Sequence, residues 1–536
     1  MVPLTEVRVN TLYYGDNLTV LRNDIPDESV DLIYLDPPFN SQATYNVLFR
    51  STAGEKSRAQ IEAFEDTWHW GDEAELAFDG VMTSGNGDAA EMLRAMRSFL
   101  KENDMMAYLA MMALRILELH RVLKTTGSLY LHCDATASHY LKLLIDAIFG
   151  APNFRNEIVW RRTRAHNDAK LGRFGAIHDI VLYYSKSDKR TFNRIHTERD
   201  EAAPNTHDLY RHTDGNLYRK GDCRAPGDRG PRYEWNGHVQ HWRFTEEEKA
   251  RLEAEGRIVY SKTGVPRVLR PVDLTKGPPL QDIWADIDAP NSGSAETLGY
   301  PTQKPLALLI RIIESSSNEG DVVLDPFCGC GTTIHAAQKL KREWIGIDIT
   351  HLAISLIEKR LKDAFPGIKY EVHGTPKDLE GARELAHQDK YQFQWWAVSL
   401  VNAVPFGGKK KGADTGIDGL IYFKPEGKTT EKAIVSVKGG DNVNVAMVRD
   451  LAHVVDREKA KIGVFITLAE PTGPMKREAL KGGFYETLYG KYPKIQILTI
   501  ADLFAGKQPN IPLVDSASFK KAARESTGEE NFDLPF

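Results

Sequence analysis

Short apolar runs recur along the chain, each closed by a charged residue or a turn-former: LIYL at 32–35, VVL at 322–324, WIGI within EWIGIDIT at 343–350, and, further on, GLIYFK, KAIVSVK and KIGVFIT. Runs of this length and content predict buried strands. Between them, PLALLIRIIESS and IHAAQKLK repeat their apolar positions every three or four residues and predict helices. Two of the strands end on an acid in an unusual setting. Asp36 stands directly ahead of Pro37, Pro38 and Phe39, and Asp325 leads into a turn containing Gly329 and Gly331.

Length changes the picture next. At 536 residues, with 42% apolar and 27% charged positions, the chain exceeds one ordinary core and predicts two or three globular domains. Arg and Glu break its most apolar stretch, AYLAMMALRILEL, well short of a membrane span, and the first residues carry no basic-then-apolar leader, so a cytoplasmic, nucleoid-associated protein is expected. Four cysteines, two of them only two positions apart at Cys328 and Cys330, predict neither a disulfide framework nor a Cys-rich zinc site. The net charge of −5 hides a local excess: residues 155 to 270 hold 24 Lys and Arg against 17 Asp and Glu. That +7 is densest where Arg161, Arg162, Arg164 and Lys170 interleave with Trp160, His166 and Phe174, a pattern that fits phosphate contact as well as a solvated surface.

The 321–333 stretch, DVVLDPFCGCGTT, combines a strand, an acidic end, a glycine turn and a helix start. Glycines let backbone approach a ligand, and unpaired helical N–H groups face its polar parts. The spacing is not the dinucleotide G-x-G-x-x-G. Downstream, Asp348 ends another short strand, where a carboxylate can accept both hydroxyls of a ribose. A ribose-bearing cofactor is therefore expected.

DPPF at 36–39, YPTQKP at 300–305, DPFCGCGTT at 325–333 and GIDI at 346–349 together resemble the motifs of DNA amino-methyltransferases. Their order resembles the permuted β class, which includes modification subunits of type III restriction systems, over about residues 10 to 360. The resemblance implies S-adenosylmethionine as cofactor and double-stranded DNA as substrate, and leaves open a restriction subunit or a homodimer as partner. Asp36 with the Pro37 carbonyl would hold an exocyclic amine, Pro38 would stiffen the turn, and Phe39 would stack on a base rotated from the duplex. Asp16, Thr302, Gln303, Lys304, Asp325, Phe327, Gly329, Gly331, Thr332 and Asp348 would bind the cofactor, although Lys304 also reads as a surface charge. No Pro-Cys pair occurs, which excludes the thiolate chemistry of cytosine carbon-5 methylation. Asp at the head of DPPF favours adenine N6, with cytosine N4 as the alternative.

After about residue 376 the pattern shifts to a helix bearing Trp395 and Trp396, then strands and a further helix. Asp418 and Lys438 resemble the Asp and Lys of Mrr-like restriction-endonuclease folds, but Ser436 occupies a position where that design carries an acidic or amide ligand. Three readings follow: a nuclease using Mg²⁺ with a substitute ligand such as Asp414, an inactive fold that holds DNA, or a structural module. A restriction factor in which the cofactor fold only regulates competes with the methyltransferase reading as a whole. The expected architecture is a seven-stranded, mostly parallel, doubly wound α/β domain over 1–375 with a recognition region at about 155–290. A linker at 376–390, a smaller α/β domain at 391–515 and a tail at 516–536 complete it.

Overall fold

The computed structural model describes the chain except residues 1–6, 39–43, 51–55, 66–68, 165–171, 173, 198–208, 212–216, 272–276, 291–295, 297–301, 407–415, 426–429 and 513–536. It divides into two compact units, residues 1–193 with 282–536 and residues 194–281.

The larger unit is built on a nine-stranded sheet. In chain order its strands are β1 (Thr11–Tyr14), β2 (Val30–Leu35), β3 (Leu123–Cys133), β4 (Phe154–Arg161), β5 (His178–Ser185), β6 (Ile283–Trp284), β7 (Val322–Asp325), β8 (Glu343–Asp348) and β9 (Glu371–His373). They lie in the order β6-β4-β5-β3-β2-β7-β8-β1-β9, so two short edge strands, β6 and β9, extend the expected seven. All pairings are parallel except the two made by β5. Strands covered on both faces read as continuous apolar runs, which is why LIYL and VVL lack alternation. One face packs Ile33, Leu35, Leu129, Leu131, Leu182 and Leu324 against Leu109, Ala113 and Ile116 of the helix Asp104–Val122. The apolar stretch AYLAMMALRILEL is thus a core helix. Among the described residues no helix is long and apolar enough to cross a membrane.

Pairing of β2 with β7 joins residues almost 300 positions apart: Leu32 lies beside Val323 and Ile33 beside Leu324. Asp31 locks this register, its carboxylate receiving the Val322 N–H at 2.9 Å while Lys124 pairs with it at 2.7 Å. Because the strands are parallel, the residues that follow both emerge at one sheet edge, where open α/β sheets form their ligand crevices.

The region expected to read DNA divides in the structure. Its opening part supplies β4 and β5, whereas residues 194–281 form their own unit around Cys223, Trp235, Trp242, Leu252 and Val268. This unit holds a four-stranded sheet and the helix Glu246–Ala254, whose start is fixed by a reciprocal Thr245–Glu248 capping box.

The carboxy-terminal part carries a five-stranded sheet of β10 (Val404–Pro405), β11 (Gly419–Phe423), β12 (Glu431–Lys438), β13 (Ile462–Thr467) and β14 (Ile495–Thr499), paired in that order. Part of its core takes in residues from elements that flank the first sheet. One apolar cluster joins Trp395, Ile434, Phe465 and Leu451 with Cys330 from the glycine turn and Leu352 and Leu356 from the helix His351–Ala364. Beside it the rings of Tyr14 and His351 stack with centroids 3.6 Å apart, and the His351 N–H donates to Gln392 Oε1 at 3.4 Å. A shared core makes the two sheets one cooperative block. Trp395→Ala should therefore cost about 3–5 kcal/mol and lower the midpoint of a single denaturant transition, followed by cofactor-pocket and carboxy-terminal probes alike. Two separated transitions in the wild-type chain would contradict it.

Candidate active site

The ends of β2 and β7 open into a cavity of about 280 Å³. Of the residues expected to act there, Asp16, Asp36, Pro37, Pro38, Thr302, Gln303, Lys304, Asp325, Phe327, Gly329, Thr332 and Asp348 all line it. Gly331 belongs to the same turn but does not line it. Phe39 lies outside the described residues, as do Lys170 and Asp414.

The glycine turn is built by backbone constraint. Gly331 adopts φ +73° ahead of the helix Thr332–Lys339, and a Cβ there would stand 2.7 Å from Ile357 Cγ1, so only glycine fits. Gly331 N–H donates to the Cys328 carbonyl at 2.7 Å, closing the turn. Beneath it the buried Arg360 reaches up from the helix His351–Ala364, donating to the Cys330 carbonyl at 3.2 Å and to Thr332 Oγ1 at 3.1 Å. Arg360 was not legible as part of the site, because nothing in one sequence links position 360 to a turn thirty residues earlier.

Acidic groups ring the cavity in different states. Asp325 is 2% exposed, and burial pushes its carboxyl up to about 7, although the Phe327 N–H donates to it at 3.0 Å. Asp348 is raised to about 6, again by burial. Its oxygens receive the Gly329 N–H at 2.9 Å, the Thr350 N–H at 2.9 Å and the Thr350 hydroxyl at 2.8 Å. A carboxylate offers about four acceptor positions, so Asp348 holds the turn with three and keeps about one open to the cavity it lines. Asp16 caps the helix Asn17–Asp24 through the Thr19 N–H at 3.0 Å and pairs with Arg115 at 2.7 Å. Arg115 also donates to Asn17 Oδ1 at 2.6 Å. The signal for Arg115 was present, since it is the cation that interrupts AYLAMMALRILEL.

Lys304 is not a surface charge. Its Nζ pairs with Asp36 Oδ2, and both side chains are largely buried. Next to it Gln303 Nε2 donates to the Glu296 carbonyl at 2.6 Å, and Glu296 Oε2 receives the Leu306 N–H at 3.2 Å, fixing the start of the helix Leu306–Ser316.

The basic segment carries its own acids. Arg162 pairs with Asp179 at 3.5 Å, while Asp288 takes Arg161 at 3.6 Å and Arg164 at 3.2 Å. Partial pairing does not stop exposed guanidinium groups from meeting phosphate, because surface pairs are weak.

In the carboxy-terminal sheet Asp418 precedes β11 and lies one step beyond the Gly419–Val435 pair, across from Ser436. Its carboxylate is occupied by the Val437 N–H at 2.6 Å and Gln394 Nε2 at 3.1 Å. Ser436 is 4% exposed. Among the described residues no three His, Cys, Asp or Glu side chains cluster to hold a metal ion. A neutral hydroxyl and a committed carboxylate do not fit a hard divalent cation, which demands several anionic oxygens.

Residues 30–359 match a family model described as DNA methylase, and residues 385–488 one described as restriction endonuclease. The chain is 32% identical to the type II methyltransferase M.EcaI of Enterobacter cloacae over 361 residues, 66% of this chain and 69% of that protein. It is 26% identical to the Mod subunit of the type III restriction-modification enzyme StyLTI of Salmonella typhimurium, spanning 62% of this chain but half of that relative. It is also 26% identical to the DNA adenine methyltransferase YhdJ of Escherichia coli, over 66% of this chain and 82% of that protein.

Two outcomes test this geometry. Gly331→Ala should destabilise the fold by about 1–3 kcal/mol through strain, measured by denaturant unfolding. Because the folded carboxyl of Asp325 is raised above its unfolded value, its contribution to stability is complete below about pH 4 and is lost as pH rises through about 7. Asp325→Asn should then gain stability relative to wild type at pH 8 and none at pH 4, and equal differences at both pH values would contradict it.

Proposed function

The chain belongs to the DNA methylase family, and from that membership we propose that it transfers a methyl group from S-adenosylmethionine to the exocyclic N6 of adenine in double-stranded DNA. The observation that carries this reading is the meeting, in one cavity, of the Asp36-Pro37-Pro38 turn after β2 with the glycine turn after β7.

The residues fit the cofactor. A glycine turn closed to any Cβ, free N–H groups at the start of the helix Thr332–Lys339, and acidic groups at Asp16 and Asp348 are the complement of a nucleoside with a polar tail. Bound there, S-adenosylmethionine supplies an electrophilic methyl group on a sulfonium centre. The chain's own work is on the amine. Adenine N6 is a weak nucleophile because its lone pair is delocalised into the ring. Acceptors for both of its hydrogens hold the lone pair out of conjugation and take up the positive charge that develops. Lys304 occupies Asp36 Oδ2, which leaves Oδ1 to accept one hydrogen, and the Pro37 carbonyl accepts the other. Pro37 and Pro38 have no N–H to compete and fix the turn. The target base must leave the duplex to reach this crevice. An aspartate at the head of the turn, and a relative whose name is DNA adenine methyltransferase, favour adenine over cytosine N4.

Arg161, Arg162 and Arg164 follow β4 and supply phosphate contacts. For the carboxy-terminal restriction-endonuclease-like domain the reading is a fold that holds DNA without cutting it, supported by the neutral Ser436 and by the Asp418 carboxylate already bonded to the Val437 N–H among the described residues.

Digestion of methylated DNA to nucleosides should yield N6-methyladenine, and N4-methylcytosine would move the assignment to the other amine. Asp36→Ala should abolish transfer of labelled methyl while cofactor affinity changes less than about threefold, since the side chain acts on the base. Replacing Arg161, Arg162 and Arg164 with Gln should weaken DNA binding and lower the salt slope by up to about 3, one counterion for each phosphate contact. Full-length protein with Mg²⁺ should leave plasmid DNA intact, whereas cutting that disappears in Lys438→Ala would show a working nuclease.

A further inference from the structure

Between the catalytic turn and the basic segment lies a chain of polar side chains that the proposed chemistry does not use. Tyr34 is 2% exposed, belongs to β2, and lines the active-site cavity two residues before Asp36. Its hydroxyl meets His132 Nδ1 at 2.9 Å, on the neighbouring strand β3. His132 Nε2 in turn meets Asp179 Oδ2 at 3.2 Å, on β5. Asp179 Oδ1 ends the series at Arg162, 3.5 Å away and half exposed just after β4. His132 is fully buried and Asp179 is 3% exposed. Four adjacent strands are thus bridged side chain to side chain, close to the edge where the crevice opens.

Such a chain is costly unless it serves a purpose. Each buried polar group left unpaired would cost about 1–3 kcal/mol, and apolar residues of similar shape would fill the sheet as well. The contacts themselves assign the imidazole: a proton on Nε2 donated to Asp179 and a lone pair on Nδ1 accepting from Tyr34 satisfy every partner. Burial alone would push the Asp179 carboxyl up, but the hydrogen bond from His132, with Arg162 and Lys304 nearby, holds it below the usual carboxylate value. The anion is therefore built in. Trp160 closes the site on one side, its ring edge-on to His132 with centroids 5.6 Å apart and its Nε1–H donating to the Ile287 carbonyl at 2.9 Å. The Tyr34 hydroxyl is engaged by His132, so the chain acts on the cavity through the strand that carries Asp36.

We infer that Tyr34, His132 and Asp179 form a positioning strut that fixes the catalytic turn relative to the strand bearing the basic segment, with Arg162 as its outer, DNA-facing end. This inference rests on the methyl-transfer reading of the cavity. Its physical content is that transfer requires the acceptors on Asp36 and Pro37 to be held to a fraction of an ångström, a tolerance in which small misplacement costs large factors in rate. Arg162 couples the strut to DNA. A phosphate that engages the guanidinium redistributes its contact with Asp179, and the change passes along hydrogen bonds that have defined partners at each end.

The test uses the full-length chain, S-adenosylmethionine and a methylatable duplex. Tyr34→Phe removes one hydroxyl and keeps the ring, and Asp179→Asn keeps an acceptor for His132 while removing the charge. Each should lower kcat by about tenfold, in line with the cost of small misplacement, with cofactor Kd close to wild type and a thermal midpoint lowered by several degrees that stays well above the assay temperature. Because both variants cut the same strut, the double variant should fall little further than either alone. Arg162→Gln should raise KM for DNA, and its effect on kcat should disappear in the Tyr34→Phe background. Wild-type kcat in Tyr34→Phe, losses that multiply in the double variant, or a fall in thermal midpoint and cofactor affinity that accounts for the lost rate would each overturn the strut. A wild-type chain that transfers no methyl to DNA would instead defeat the methyl-transfer reading and the strut's catalytic role together. Active wild type with indifferent variants removes the strut alone.

Discussion

Everything in the active site depends on the parallel pairing of β2 with β7. Leu32 beside Val323 and Ile33 beside Leu324 bring Asp36 and the Gly329–Gly331 turn to one edge, and Asp31 holds that register through the Val322 N–H. A slip of one residue would reverse which side chains face each side of the sheet and would separate the two turns. Side chains come next. Lys304, from the segment before the helix Leu306–Ser316, reaches Asp36 only because both elements meet at this edge.

The acids around the cavity show how one fold gives similar groups different work. Asp325 and Asp348 are raised by burial and accept hydrogen bonds from the turn, whereas Asp36 at the cavity wall has a cation on one oxygen. Charge that is buried needs partners, and here most partners are backbone N–H groups. The same rule explains Arg115 under Asp16 and Arg360 under Cys330, two buried cations whose hydrogen bonds brace the pocket wall.

The carboxy-terminal sheet is joined to the methylase through shared apolar surface. Cys330, Leu352 and Leu356 pack with Trp395, Ile434 and Phe465, so the cofactor turn and the second sheet rest on one core. In such a setting the second sheet contributes apolar burial beneath the cofactor-side turn, whatever its own chemistry.

By itself the sequence determined the chemistry-bearing parts: apolar runs that must be strands, an aspartate ahead of two prolines, and glycines where backbone must approach a ligand. These are local signals, since conformational limits and periodicity act within a few residues. From them the strand ends, a turn for a ribose-bearing cofactor and the shift of pattern near residue 376 were readable, while the class of reaction came from the family that the motifs together resemble. Contacts between distant positions came only with the fold. Lys304 reads as either a cofactor contact or a surface charge until the fold sets it on Asp36. Arg115 reads as a break in an apolar run until it is found under Asp16. His132 and Asp179 are 47 positions apart in the sequence, yet adjacent strands place them in contact. Side chains that meet across a sheet are chosen by strand order and register, and those are set by packing of the whole core, which no short stretch encodes.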